Sequence, residues 1–148
     1  MPDRPEQLKQ QATDLYKQKR YLPAAQLFGE VAELYREAGN ETASAEMCNN
    51  RSVALLQSGE AAQALQAAAG TDQVFALAGE VRLQAMALSN QAAALEELGR
   101  QVEALAFYQQ ASALLQPTGE TEMRSIILKR ISSLKMRSGK ALESLAAM

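Results

Sequence analysis

The chain has 148 residues, enough for one domain with a core of its own, and a formal net charge of −2. Hydrophobic residues make up 47% of it, much of that alanine, and aromatics only 5%. The one cysteine, Cys48, rules out an internal disulfide, and the absence of histidine removes the commonest general base and metal ligand.

Alanine and leucine lose little side-chain freedom in a helix, so the composition favours an all-α fold. Met1–Gln10 is polar and charged and lacks a signal-peptide core. No stretch reaches the ~20 apolar residues of a membrane span. With a single thiol, the chain reads as cytoplasmic.

The expected elements then come in pairs. A first helix over 5–19 is followed by a second over 22–38, with Pro23 in its first turn, where a missing N–H costs nothing. The next pair is expected over 41–58 and 61–78. Gly70 falls inside the latter and predicts a weak or bent spot of roughly 1 kcal/mol against alanine. The third pair runs over 81–98 and 101–116, and the fourth over 121–138 and 141–148. Gly39, Gly79 and Gly119 end the second helices, and Gly59, Gly99 and Gly139 the first, where left-handed residues commonly stop a helix.

These pairs share a gap-free period of 40 residues: Lys19, Gly59, Gly99 and Gly139 stand 40 apart, as do Ala24, Ala64, Ala104 and Ser144. Fixed periods of this length mark stacked helical repeats. The units run over 1–39, 40–79, 80–119 and a partial 120–148, within one domain. Ala12, Ser52, Ala92 and Ser132 form a column of small residues where helices approach closely. Leu8, Cys48, Leu88 and Leu128 form a larger apolar column, which makes Cys48 a small buried hydrophobe and not a reactive thiol. Leu15, Leu55 and Leu95 form another, but Lys135 takes their place in unit four, as in a polar terminal cap.

The chain resembles the tetratricopeptide repeat family. That family marks its helix-helix turn with Gly-x-Tyr-x-x-Ala. The matching stretches are Lys19-Arg20-Tyr21-Leu22-Pro23-Ala24, Gly59-Glu60-Ala61-Ala62-Gln63-Ala64 and Gly99-Arg100-Gln101-Val102-Glu103-Ala104. Phe28 and Tyr108 supply an aromatic four residues on, where Ala68 departs from the pattern. The family period is about 34 residues, so this chain is similar to its longer-repeat members, such as kinesin light chains and bacterial peptide-sensing regulators. The resemblance implies a right-handed α-solenoid of stacked antiparallel helix pairs, about 3.5 repeats long. It also implies a non-enzymatic scaffold, without cofactor or metal, that binds a protein or peptide partner.

In such arrays the first helices line a concave groove. The resemblance maps the groove onto Lys9 and Thr13 of unit one, Asn50 and Val53 of unit two, Asn90 and Ala93 of unit three, and Arg130 and Arg137 of unit four. Asn50 and Asn90 share one column and suit an extended ligand, because an amide offers both a donor and an acceptor to a peptide unit. The alternative is that both brace the helix contact. Lys9 and Asn50 fit the clamp that some members close on a C-terminal carboxylate. Thr13, Met86 and Asn90 break its pattern, so a chaperone-tail receptor of that type is not expected. Arg130 and Arg137 lie seven residues apart on one face and suit an anion. Pairing with Glu96 or Glu97 is the other possibility. Glu96-Glu97 itself reads as a solvated acid pair rather than a catalytic one.

Charge is unevenly spread. Residues 124–140 carry six bases and no acid, whereas residues 21–123 carry four bases and thirteen acids. A solvated cap explains this, and no aromatics are interleaved for nucleic-acid stacking. No nucleic acid or membrane partner is expected. A second reading is a homodimeric assembly module, joined through Ile127, Ile131, Leu134, Leu142 and Leu145 at an uncapped C-terminal edge.

Overall fold

A computed structural model describes residues 3–147, with side chains throughout except at 141 and 142. The chain folds into α1 (Arg4–Lys17), α2 (Tyr21–Glu37), α3 (Glu41–Gln57), α4 (Ala61–Ala68), α5 (Thr71–Leu77), α6 (Val81–Glu97), α7 (Gln101–Leu115) and α8 (Thr121–Ala146). A short 3-10 turn, Gln116–Thr118, precedes α8. Among the described residues there is no strand. The architecture is an all-α solenoid of stacked antiparallel helix pairs.

Local chemistry sets the helix ends. The Asp3 carboxylate accepts from the Glu6 amide at 3.0 Å, and the Asn40 side chain accepts from the Ala43 amide at 3.1 Å. Both caps satisfy an orphan donor in the first turn. At the other end Gly99 takes a φ of +78°, and the amide of Arg100 donates back to the Leu95 carbonyl at 2.9 Å. This left-handed closure repeats at every helix-pair turn. In unit one Lys19 adopts it without being glycine, at φ +62°.

Two expected helix ends fall elsewhere. Residues 61–78 do not form one bent helix. Ala69 is extended and Gly70 is left-handed at φ +80°, which separates α4 from α5. A side chain stabilises the break: the Thr71 hydroxyl lies 2.7 Å from the Ala68 carbonyl and 3.0 Å from the Asn49 Oδ1. Conversely, Gly139 does not end a helix. α8 runs through it as one helix of 26 residues. Because α8 continues straight, the segment after Gly139 does not make the packing on its own unit's first helix that accompanies the reversals at Gly59 and Gly99.

The core follows the small and large columns. Ala12, Ala92, Ala24, Ala64 and Ala104 are fully buried, and Ser52 nearly so. The Ser52 hydroxyl donates to the Ala64 carbonyl at 2.7 Å, which joins α3 to α4 where they pack closest. Phe28, Val31, Met47 and Leu55 fill the first half of the stack. Leu88, Leu95, Tyr108, Leu115 and Leu134 fill the second, and Phe75 links α5 to Ala45 and Ala87.

The expected apolar edge at the C-terminal end is mostly covered. Ile127, Ile131 and Leu134 are buried in the second core. Leu145 is exposed, and the Leu142 side chain lies outside the described residues. Ile126, Leu128 and Met136 of α8 are exposed as well. The columns shift here because α8 packs on α7 with one face only. Leu128, Ser132 and Ser144 are therefore exposed, unlike their counterparts in earlier units.

Candidate functional site

α1, α3 and α6 are the first helices of three successive units, and two neighbouring depressions lie along them. One, of about 190 Å³, is lined by Lys9, Glu46, Asn50, Arg82, Leu83 and Met86, with Met47 and Asn49 at its floor. The other, of about 220 Å³, is lined by Thr13, Tyr16, Phe28, Asn50 and Val53. Asn50 lies at the edge of both. Four of the expected groove residues, Lys9, Thr13, Asn50 and Val53, thus meet on one stretch of surface.

The helical spacing of these residues explains the convergence. Lys9 and Thr13 are four apart on α1, and Asn50 and Val53 are three apart on α3, so each pair shares a face. Thr13 is not free to bind: its hydroxyl donates to the Lys9 carbonyl at 2.9 Å. Asn50 is half-buried, and among the described residues its side-chain amide has no hydrogen-bond partner. A helical asparagine without a partner retains both a donor and an acceptor for a ligand.

Aromatic groups form one wall. Tyr16 packs edge-on against Tyr21, with ring centroids 5.3 Å apart. Burial raises the Tyr16 pKa, and neighbouring Tyr21 adds to it, so the phenol stays neutral. Towards the other end of α1, the Tyr35 hydroxyl donates to Glu6 at 2.6 Å. That hydrogen bond, more than burial, pushes the Tyr35 pKa up to about 12.

The remaining expected residues are not joined to this cluster. Asn90 and Ala93 are half-buried on α6 and line neither depression, and the Asn90 amide also has no partner among the described residues. Arg137 donates to the Glu96 carboxylate at 2.8 Å, and Arg130 approaches the same oxygen at 3.9 Å. Glu96 is not a solvated acid: its side chain is 11% exposed, and the Tyr108 hydroxyl donates to it at 3.3 Å. Arg137 is thereby paired within the fold, while Arg130, with its side chain 60% exposed, only skirts the same carboxylate. Burial, then the Glu96 charge, raises the Tyr108 pKa to about 12.

Asn49 was not expected to matter. It is buried, whereas its neighbour Asn50 faces the groove. The period places Ser89 and Ala111 where unit two has Asn49 and Thr71. Alanine offers no partner there, and the Ser89 hydroxyl is buried without one. The pairing of Gln91 with Asp72, at 2.9 Å, was likewise not foreseen. The only sequence signal for either is a polar residue on an otherwise apolar helix face. Cys48 is half-buried, and burial raises its thiol pKa, which keeps it protonated and unreactive.

The arrangement is a pair of shallow polar–apolar depressions that share one half-buried asparagine amide. The family model of the soluble NSF attachment protein, SNAP, matches residues 4–146. The chain belongs to this family. No curated protein matches it. SNAP is a TPR-like helical-repeat family, so the resemblance holds at the level of the superfamily. The narrower kinship with the 40-residue-period members is not carried by this match. Among the described residues, no helix is long and apolar enough to cross a membrane.

Proposed function

We propose that this chain is a non-enzymatic adaptor that holds an extended segment of a protein partner across α1, α3 and α6. The open amide of Asn50, set between two depressions, is the observation that carries this reading. It would pair with a backbone peptide unit whatever the ligand's side chains are. Tyr16, Phe28 and Val53 offer an apolar subsite on one side. Lys9 offers a positive charge on the other, tempered by Glu46.

Asn90 extends the same column by one unit and supplies a second backbone contact. Arg130 and Arg137 have Glu96 as their counter-ion, so they orient the C-terminal end of the groove and do not bind an anion outright. Family membership supports a protein as the partner. The family takes its name from attachment to NSF, which makes an NSF-type protein the first partner to assay. A cytoplasmic setting agrees with the single protonated thiol.

The test is a pull-down from native extract with the wild type and the Asn50→Ala, Asn90→Ala double variant in parallel. A partner retained by the first and lost by the second, at equal helicity, is expected. Equal retention by both proteins would sink the groove assignment.

A further inference from the structure

We propose that the outer face of α8 is the empty seat of a helix, and that the chain's own segment after Gly139 folds back to occupy it in a second conformation. In the structure this face is an open groove of about 530 Å³, with Ser125, Leu128, Ser132 and Met136 in its lining and the cations Lys129 and Arg137 beside them; Lys140, at the start of the segment itself, also borders it. One period earlier the counterparts of the first three are Ala85, Leu88 and Ala92. Those lie in the core with α7 and are 0%, 2% and 0% exposed. On α8, Leu128 is 40% exposed and both serines are exposed. Three positions of the groove therefore match a helix-covered face in register, yet in the structure they are exposed.

The segment Lys140–Ala147 has the matching pattern for the missing cover. Ser144 stands one period after Ala104 and two after Ala64, the fully buried small residues of the second helices. Leu145 follows Leu105 and Leu65, which pack against the core, yet it is 67% exposed in the extended helix. Lys140 and Glu143 repeat Arg100 and Glu103, which pair at 2.7 Å at the start of α7. Length is no obstacle, because α4 covers α3 with eight residues.

Gly139 is the joint. Gly59 and Gly99, two periods and one period earlier, reverse the chain at φ +87° and +78°. Gly139 is helical instead, and a Cβ there would meet nothing within 4 Å. Gly139→Ala therefore fits the extended helix without a clash but penalises the left-handed turn. The reversed state buries Leu128, Met136 and Leu145 and closes the groove. The extended state leaves it open to another helix, so the segment acts as an internal competitor for this face.

A disulfide trap separates the two states. Ser132 and Ser144 are 12 residues apart, or about 18 Å along a continuous helix. Disulfide formation requires Cα atoms within about 7 Å. In the reversed state they stand as Ser52 and Ala64 do, where hydroxyl and carbonyl are 2.7 Å apart. The full chain is prepared as Cys48→Ala, Ser132→Cys, Ser144→Cys and oxidised mildly at low concentration. The expected product is a monomeric disulfide, formed several-fold more slowly once Gly139→Ala is added. No disulfide, a disulfide between chains only, or a rate indifferent to Gly139→Ala would each overturn the proposal. So would equal closure of an Arg130→Cys, Ser144→Cys pair, which signals a frayed end and not a seated helix. If Cys48→Ala perturbs folding, the pair is read with Cys48 retained, from the mass of the cross-linked peptide.

Discussion

The α1–α3 end and the α6–α8 end of the stack use one repeat column, that of Asn50 and Arg130, in opposite ways. At the α1–α3 end Asn50 has no partner among the described residues, and Lys9 borders a depression. At the α6–α8 end polar side chains are consumed internally, with Arg130, Arg137 and Tyr108 all gathered on the nearly buried carboxylate of Glu96. Unpaired polar groups at half-buried positions stabilise nothing by themselves, whereas a buried carboxylate must be paired to be tolerated. One end therefore leaves an amide open, as the proposed ligand site requires, and the other uses its charges to hold the last helix in place. A shared column position does not imply a shared role.

The largest effect expected from breaking this difference lies at the α8 end. Leu134 is 1% exposed and belongs to the core that fixes α8 on α7. Leu134→Ala should cost about 3 kcal/mol, within the usual span for a buried leucine. It should also loosen the Arg137–Glu96 pair, because the same helix turn presents Arg137. Urea unfolding checks the first, and a parallel Arg137→Ala variant that loses much less stability checks that packing, not charge, dominates.

A smaller effect separates two adjacent residues at the other end. Asn49→Ala removes the buried partner of Thr71 at the α4–α5 break and should cost about 1–2 kcal/mol. Asn50→Ala should change stability by no more than about 0.5 kcal/mol, as surface substitutions do, while removing the groove amide. Thermal melts of the two variants decide the matter. Equal destabilisation would mean that Asn50 is a brace after all.

The Tyr108–Glu96 contact also predicts a pH dependence. The folded state raises the Tyr108 pKa to about 12, from an unfolded value near 10. The native state therefore holds the proton more tightly. Its contribution is fully present below pH ~10 and is lost as pH rises towards ~12. Wild type should lose stability across that window more steeply than Tyr108→Phe, and superimposable curves would contradict the assignment.

Much of this fold was legible in the sequence. The left-handed glycines 39, 59, 79, 99 and 119 fall where the period placed helix ends, because an αL turn is a local property of the chain. Gly70 and Gly139 were misread in opposite directions. At Gly70 a hydrogen bond from a distant helix favours the break, and at Gly139 the helix continues, so the contacts that accompany the turns at Gly59 and Gly99 are not made. The site was legible as a face but not as a set of contacts. Asn49 and Asn50 are equivalent by composition and differ by about 100° around the helix, so only the packing of α5 on α3 buries the first. Pairing of Arg130 and Arg137 with Glu96 stood in the sequence as one of two possibilities beside an anion site, and the choice was open because the partners lie 34 and 41 residues away on a helix whose rotation the repeat does not fix.

The smallest expected effect returns to the open end and concerns Lys19. It is the one non-glycine among the described residues with a positive φ, at +62°, and it sits where later units place glycine. An L-residue in this region bears a steric cost of roughly 1–2 kcal/mol, while glycine gains entropy in the unfolded chain of about 0.4–1 kcal/mol. The difference leaves Lys19→Gly stabilising by roughly 0.5–1 kcal/mol. Lys19 is exposed, so no packing is lost with its side chain. The gain should be confined to unit one, visible as slower amide exchange in α1 and the start of α2 with no change in α6–α8. A decrease in stability would mean that the lysine side chain contributes something at this turn that outweighs its backbone strain.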